Sequence, residues 1–203
     1  MTDTSITLLQ RLQSSDDSEN WDRLMSLYRP LLMAWLRKYH VQDFDLDDLL
    51  QEVLMAVSKD VASFQHNGRP GAFRAWLRSI MVNRLRNFWR SRGRQLQAQG
   101  GSDIQLRLAQ LDDPSSEMSQ LWNRQHDLHV ARRLLRQVES EFTPQTWAAF
   151  TKVAIEGQRT NIVAENLGIS TNAVLIAKSR VLSRLRREAA GLVDSDSSIL
   201  KNS

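Results

Sequence analysis

The chain has 203 residues, no cysteine, a formal net charge of +4, 41% hydrophobic residues and 25% charged residues. This composition is typical of a globular protein and too apolar for a disordered one. The absence of cysteine excludes disulfides, thiolate metal sites and a cysteine nucleophile. No apolar run approaches the roughly 20 residues that cross a bilayer. Residues 1–10 also lack the basic and apolar parts of a signal sequence, so we expect a cytoplasmic protein without membrane contact.

Charge is segregated along the chain. Residues 42–60 contain six acids and one base, whereas residues 61–102 contain eight arginines and no acid. Residues 178–187 contain five bases and no acid. Two separate basic stretches favour contact with a polyanion such as nucleic acid. Solvated helix faces are the alternative interpretation.

Helical periodicity dominates the first half of the chain. It predicts helices at about 6–13, 20–39, 45–59 and 72–92. Pro30 is expected to kink or break the second helix, and Asp45 is expected to cap the third. Glycine and proline at 66–71 predict a loop before the fourth helix.

The helix predicted from residue 72 should have an apolar stripe opposite an arginine ridge. The stripe consists of Phe73, Trp76, Leu77, Ile80, Leu85 and Phe88. The ridge consists of Arg74, Arg78, Arg86 and Arg90. Trp89 lies off the stripe, and we expect it to be exposed.

The second half begins after a polar stretch. Residues 93–124 combine a glycine pair, an Asp-Asp-Pro-Ser-Ser run and a weak apolar pattern, which predicts a flexible linker. Further helices are predicted at about 127–141, 144–156, 160–167 and 171–189. Thr143 and Pro144 mark the start of one of them and Gly157 its end.

These elements predict an all-α fold of two small helical domains joined by a flexible linker. The expected domains are residues 1–92 and 125–192, with the linker at 93–124 and a disordered tail at 193–203. The second domain would contain a helix-turn-helix.

The helix-turn-helix pattern spans residues 160–174. Ala164 is small where two helices would cross, Gly168 suits a left-handed turn, and Ser170 can cap the next helix. Ile162, Leu167, Ile169 and Val174 are expected to lock the two helices together. The second helix would enter the DNA major groove, and a purely structural hairpin is the alternative.

Together, these motifs resemble the bacterial RNA polymerase sigma factors of the extracytoplasmic-function (ECF) group. The resemblance depends on residues 28–32 with 45–53, on residues 73–94, and on the helix-turn-helix. It implies a sigma region 2-like first domain and a region 4-like second domain. The protein would be a non-enzymatic subunit, without a cofactor, that binds core polymerase, recognises two promoter elements and helps to open DNA. Its partners would be the large clamp subunit of core polymerase, promoter DNA and an anti-sigma factor.

The resemblance also implies residue roles. Asp48, Gln51 and Glu52 would bind the coiled-coil clamp helices, and an exposed acidic face suits an arginine-bearing partner. Promoter melting and reading would involve Asn83, Arg84, Asn87, Trp89 and Arg90, beside a pocket wall formed by residues 64–71. Groove contacts would come from Thr171, Asn172, Leu175, Ile176, Lys178 and Ser179. Asn172 suits adenine, although Lys178 to Arg180 lies about one turn later than the family's usual Lys-Ser-Arg. The acidic pair Asp112 and Asp113 would occupy a basic polymerase channel.

Two other classes of function fit the sequence less well. A dimeric helix-turn-helix regulator would act without polymerase, but it leaves the acidic stretch and the arginine helix without a role. An enzyme is disfavoured because phosphate-loop and nucleophile motifs are absent. His126 and His129 could share a metal, and the carboxylates at 47, 48 and 52 could bind magnesium. Solvated side chains are the simpler interpretation of both groups.

Overall fold

The structure is a computed structural model that describes residues 8–14, 18–65, 71–92 and 101–193. Every regular element in these ranges is helical, which confirms the predicted all-α class. The elements are α1 (Leu8–Ser14), α2 (Ser18–Lys38), α3 (Asp43–Val61), α4 (Ala72–Ser91), α5 (Gly101–Asp112), α6 (Glu117–Glu139), α7 (Pro144–Phe150), a π-helix (Thr151–Ile155), α8 (Thr160–Leu167) and α9 (Thr171–Ala189). None of these helices has the length and apolar character needed to span a bilayer. Most of the predicted 66–71 loop, the start of the predicted linker and nearly all of the predicted tail lie outside the described residues.

The chain divides into two compact units. The N-terminal unit comprises residues 8–130 with 191–193, and the described part of the C-terminal unit is residues 131–190. The division therefore falls inside α6 rather than in a polar linker.

Helices α2, α3 and α4 supply the centre of the N-terminal unit. Their apolar residues recur at helical spacing and are almost fully buried, as at Leu32, Trp35, Leu50, Val53 and Leu85. Each such burial contributes about 1.5–3 kcal/mol of apolar transfer free energy.

Of two local predictions for these helices, the break at Pro30 does not occur and the cap at Asp45 is wrong. Pro30 neither breaks nor ends α2, which continues through it to Lys38. The residue that precedes α3 is Gln42, without a side-chain cap. Asp45 instead lies buried in the first turn of α3, where its carboxylate pairs with the Arg92 guanidinium at the end of α4.

The predicted flexible linker differs from the structure. Much of it is helical, because α5 carries Ile104, Leu108 and Leu111 on one stripe with at most 3% of each residue exposed. This stripe packs against α4. Trp122 in α6 is fully buried as well. Burial of three apolar residues against α4 stabilises this helix.

The first half of α6 is fastened to the N-terminal unit by aromatic and polar contacts. The Trp122 ring lies 5.2 Å from the Trp35 ring, edge to face. The Trp122 indole N–H donates to the Arg74 carbonyl oxygen at 3.1 Å. The carboxylate of Asp127 pairs with the Arg74 guanidinium at 2.7 Å. Residues 117–130 therefore belong to this unit's core.

His126 and His129 are not solvated, contrary to expectation. His126 is fully buried, and burial lowers its pKa, so the ring is neutral. In that form Nδ1–H donates to Asp127 Oδ1 at 2.9 Å, and the Tyr28 hydroxyl donates to Nε2 at 3.1 Å. His129 Nε2 lies 2.6 Å from the Leu27 carbonyl oxygen. Both histidines thus fix α6 to α2.

The C-terminal unit follows its local signals closely. The Thr143 hydroxyl accepts the Thr146 N–H at 3.3 Å, with Pro144 at the first helical position. Gly157 and Gly168 adopt left-handed φ angles of 69° and 65°. Helices α8 and α9 have the predicted bounds.

A small apolar cluster joins α7, α8 and α9. It consists of Ala149, Val163, Ala164, Val174 and Ala177, with Val153, Leu167 and Ile169 packed against it. The prediction for Ile162 is wrong, because its side chain is 44% exposed while Val163 takes the buried position. A shift of one residue moves the buried position by about 100° around the helix axis.

Candidate functional site

One exposed face of α3 carries Asp48, Gln51 and Glu52, as predicted. Phe44 and Met55 share this face, because residues 44, 48, 51 and 55 recur every three or four positions. Their side chains are 71% and 64% exposed, which is unusual for such apolar groups. We call these five residues the α3 face. Sequence reasoning missed Phe44 and Met55, although the same spacing would have found them.

The α3 face combines two kinds of contact. Its two carboxylates can pair with arginine or lysine, and its amide can donate and accept hydrogen bonds. Aromatic and methionine side chains are enriched at protein interfaces, where they supply most of the buried apolar area. The arrangement suits a basic protein partner that also offers apolar surface.

Two other acids of the same stretch, both near the start of α3, form ion pairs within the chain. Asp47 pairs with Arg29 at 2.9 Å, and Asp43 lies 3.5 Å from the Arg37 guanidinium. These contacts are well exposed and contribute little stability. Asp47 borders the α3 face but is paired with Arg29, so Asp48 and Glu52 are the acids assigned to that face.

Helix α4 presents Asn83, Asn87 and Arg90 on one exposed face. We call these three residues the α4 outer face. Arg84, which was predicted to act with them, is half-buried and lies about a quarter turn away. Two amides and a guanidinium on one ridge can contact base edges and phosphates.

The predicted arginine ridge is not a free surface. Arg78 is 5% exposed, and burial lowers its pKa while the carboxylates of Asp112 and Asp113 oppose that shift. Arg74 pairs with Asp127, and Arg86 pairs with Asp112 at 3.0 Å. Carboxylates from α5, α6 and the turn between them therefore occupy the positions that the sequence suggested for phosphates.

The expected exposure of Trp89 is wrong. Its side chain is 4% exposed, because α5 lies over this side of α4. Trp89, Ile104 and Leu108 line a cleft of about 340 Å³ that Arg86 and Arg90 border. The buried Trp89 indole N–H has no acceptor among the described residues. An unsatisfied buried donor costs about 1–3 kcal/mol.

The aromatic residues expected in the α4 core are only partly there. Phe73 is buried, whereas Trp76 and Phe88 are half-buried. The Trp76 ring lies 5.0 Å from the Phe64 ring, at the described edge of the predicted pocket wall. The Arg92 guanidinium lies 4.8 Å from the Phe88 ring centre. Both rings are therefore partly exposed and not fully in the core.

Helix α9 exposes most of its predicted contact residues. Thr171, Asn172 and Ser179 are exposed, and Lys178 is half-buried. Leu175 and Ile176 are 50% and 49% exposed, so neither is a core residue. The Ser170 hydroxyl accepts the Ala173 N–H at 3.1 Å and fixes the start of the helix. The exposed residues form one amphipathic surface near that start.

The basic run at the end of α9 divides into two groups. The Arg184 guanidinium forms two hydrogen bonds to the Glu141 carboxylate, at 2.7 and 2.9 Å, and also pairs with Glu188. It is therefore committed to the fold of the C-terminal unit. Arg180, Arg186 and Arg187 are exposed.

Comparison with known proteins identifies one part of the chain. Residues 24–95 match the family described as Sigma-70 region 2. This segment is similar to sigma-70 region 2 domains. The predicted relationship to sigma factors is confirmed over these residues. No curated protein matches the chain.

Several solved chains are also similar, and one of them illustrates the likeness. It is described as "Structure of CnrH in complex with the cytosolic domain of CnrY", with 20% identity and a TM-score of 0.36. The alignment covers 88% of this chain and 92% of that one. A likeness this distant adds nothing to the assignment made by the region 2 match.

The region 2 segment contains both the α3 face and the α4 outer face. It ends at residue 95, before α5 begins. Helix α5 and the first half of α6 thus lie outside the family match but inside the N-terminal unit. Within the described ranges, no group of three or more histidine, aspartate or glutamate side chains is arranged to hold a metal ion.

Proposed function

We propose that this protein is a sigma factor of the ECF group, a non-enzymatic subunit that gives core RNA polymerase its promoter specificity. The observation that carries the proposal is the region 2 match, within which Asp48, Gln51 and Glu52 lie exposed on one helix face. The partners in this proposal are core polymerase, promoter DNA and an anti-sigma factor. The protein would act in the cytoplasm, together with the polymerase.

The α3 face is the proposed polymerase-binding surface. Asp48 and Glu52 would pair with basic side chains on the clamp helices of the large subunit, and Gln51 would hydrogen-bond between them. Phe44 and Met55 would bury apolar area at the two ends of the face. Exclusion of water by such flanking groups strengthens ion pairs at the centre of an interface.

The α4 outer face is the proposed site of promoter melting and reading. Asn83 and Asn87 offer amides to unstacked bases, while Arg84 and Arg90 offer charge to the backbone. Stacking of a base on an aromatic side chain contributes about 1–3 kcal/mol. Trp76 and Phe88 are better placed for this than Trp89, which is covered by α5.

The exposed surface of α9 is proposed to read a second promoter element as a helix-turn-helix. Support comes from the Gly168 turn, the Ser170 cap and the exposure of Asn172. Leu175 and Ile176 suit thymine methyl groups. Two weak readers on one chain cooperate, because binding of one raises the effective concentration of the other.

The experiment is a charge reversal on the α3 face. We expect Asp48→Arg with Glu52→Arg to reduce binding to core polymerase at least 100-fold, since two central interface charges then repel their partners. The matched control is Asp43→Arg with Asp60→Arg, which makes the same charge change elsewhere on α3. Surface plasmon resonance with immobilised core polymerase measures the affinity, and circular dichroism checks helicity. Equal binding by both double variants would refute this surface, and no binding by the unmodified chain would favour a regulator that acts without polymerase.

A further inference from the structure

Helix α5 and Asp113, residues 101–113, lie against one side of α4; we call this segment the α5 cover. Three buried apolar residues of α5 face α4, namely Ile104, Leu108 and Leu111. The Asp112 carboxylate forms an ion pair with Arg86 at 3.0 Å. The charge of Asp113 acts on the buried Arg78 guanidinium. The cover thus meets α4 through both apolar and charged contacts.

The α4 side beneath the cover has the chemistry of a nucleic-acid contact. Arg78 and Arg86 offer guanidinium groups that suit phosphate oxygens, and Trp89 offers an indole ring that suits a base. The carboxylates of the cover lie where phosphates would lie. Arg90 of the α4 outer face borders the same cleft as Arg86 and Trp89. The covered side is therefore continuous with the proposed DNA surface.

The contact between the cover and α4 is incomplete. The Trp89 indole N–H is buried without an acceptor in the described part of the chain. The cleft of about 340 Å³ between Trp89, Ile104 and Leu108 leaves apolar surface poorly packed. The Arg86 and Asp112 side chains are 38% and 45% exposed, so their ion pair is weak. A contact with these defects can be exchanged for another partner.

We infer that the covered side of α4, with Arg78, Arg86 and Trp89, is a second DNA-contacting surface, and that the α5 cover competes with the DNA strand for it. The inference rests on the proposed role of α4 in binding DNA. The ligand class is a single-stranded segment of DNA, since both a phosphate and an unstacked base are needed to replace the contacts of the cover. Displacement of the cover would let Trp89 meet a base.

The first test removes the acidic charge of the cover. The variant is Asp112→Asn with Asp113→Asn, and its matched control is Asp103→Asn with Glu117→Gln, which removes two exposed acids that do not face α4. The probe is a fluorescein-labelled 20-nucleotide single strand, measured by anisotropy with the full chain. We expect the variant to bind about fivefold more tightly than the control, a gain within the range of weak ion pairs.

A substitution of Arg86 tests whether the gain in affinity arises where the α5 cover contacts α4. Adding Arg86→Gln to the double variant should abolish the fivefold gain, whereas the same change in the unmodified chain should weaken binding less than twofold. The variant's affinity should also fall more steeply with salt, since each added phosphate contact on a single strand raises the slope by about 0.7. Equal gains in variant and control, or a gain that survives Arg86→Gln, would overturn the inference.

The second test follows the cover directly by amide hydrogen exchange. With saturating oligonucleotide, residues 101–113 should exchange faster than in the free protein. Unchanged or slower exchange there, with the strand bound, would overturn the inference. Binding of the same variants to core polymerase is measured in parallel. If the unmodified chain does not bind core polymerase, the proposed sigma function is refuted. The DNA-binding and hydrogen-exchange results would still test the inference about the α5 cover.

Discussion

Helices α4 and α9 both carry arginines beside residues proposed to contact DNA, but they present them differently. In α9, Asn172, Leu175, Ile176 and Ser179 form an exposed surface, and Arg184, further along the helix, is paired with Glu141 and Glu188. In α4, three arginines face carboxylates from later parts of the chain, and Trp89 is buried. A run of arginines therefore indicates a polyanion site only where the fold does not pair those arginines with acids of the same chain.

The difference has a physical origin. The α8–α9 pair is defined by local rules, namely a left-handed glycine, a hydroxyl cap and a short apolar stripe. The arginines of α4 pair with carboxylates 26 to 53 residues further along the chain, and no local signal identifies such partners. Three substitutions sharpen this contrast, beginning with the one that should have the largest effect.

Trp122→Ala should destabilise the N-terminal unit by about 3–5 kcal/mol, the usual cost of emptying a buried aromatic site. Trp122 is fully buried, packs on Trp35 and donates to the Arg74 carbonyl. Urea denaturation followed by circular dichroism measures the change. Leu128→Ala, at a residue of α6 that is 40% exposed, is the control and should cost under about 1 kcal/mol. A small effect at Trp122 would mean that residues 117–124 behave as the linker predicted from the sequence.

Prediction from the sequence succeeds where neighbouring residues define the structure and fails where distant segments define it. The bounds of α8 and α9, the Thr143 cap and the exposed trio on α3 could be predicted, because each depends on neighbouring residues. The fate of Trp89 and Arg86 could not, because it depends on α5. Polar composition around Ile104 and Leu108 concealed that helix within a predicted linker. His126 was wrongly expected to be solvated for a related reason. Its partner Tyr28 lies in α2, and no local signal in the sequence indicates that contact or the burial of the ring.

Gly168→Val should destabilise the C-terminal unit by about 1–3 kcal/mol. Gly168 has a φ of 65°, a region that β-branched residues strongly avoid. A Cβ atom here would meet no other atom within 4 Å, so backbone strain is the expected source of the cost. Gly168→Asn, which tolerates a left-handed conformation, is the control and should retain most of the stability. Thermal melting reports both, and equal losses in the two variants would show that φ is not the cause.

Acid should weaken the attachment of α6 through His126. Burial lowers the pKa of the His126 imidazole in the folded state below its ordinary value of 6.5. The unfolded chain therefore binds a proton first as the pH falls. Stability is present in full above about pH 6.5 and declines from there toward the folded-state pKa, by at most about 1.4 kcal/mol per pH unit.

The matching measurement is urea denaturation between pH 7.5 and 5.5. His126→Gln removes the titrating group, so its stability should depend less on pH than that of the unmodified chain. The charged neighbours Asp127 and Arg74 and the hydroxyl of Tyr28 remain in both proteins, as does His129. Parallel pH profiles for the two proteins would show that His126 does not couple α6 to the N-terminal unit.

The central claim is that the chain directs core RNA polymerase to promoters through its region 2 segment. Run-off transcription with purified core polymerase and a library of promoter fragments, with and without the protein, tests this claim most directly. The account predicts discrete transcripts from a subset of fragments only when the protein is present, and their loss with the Asp48→Arg and Glu52→Arg variant. The same transcripts with and without the protein, or from the variant at full yield, would contradict it.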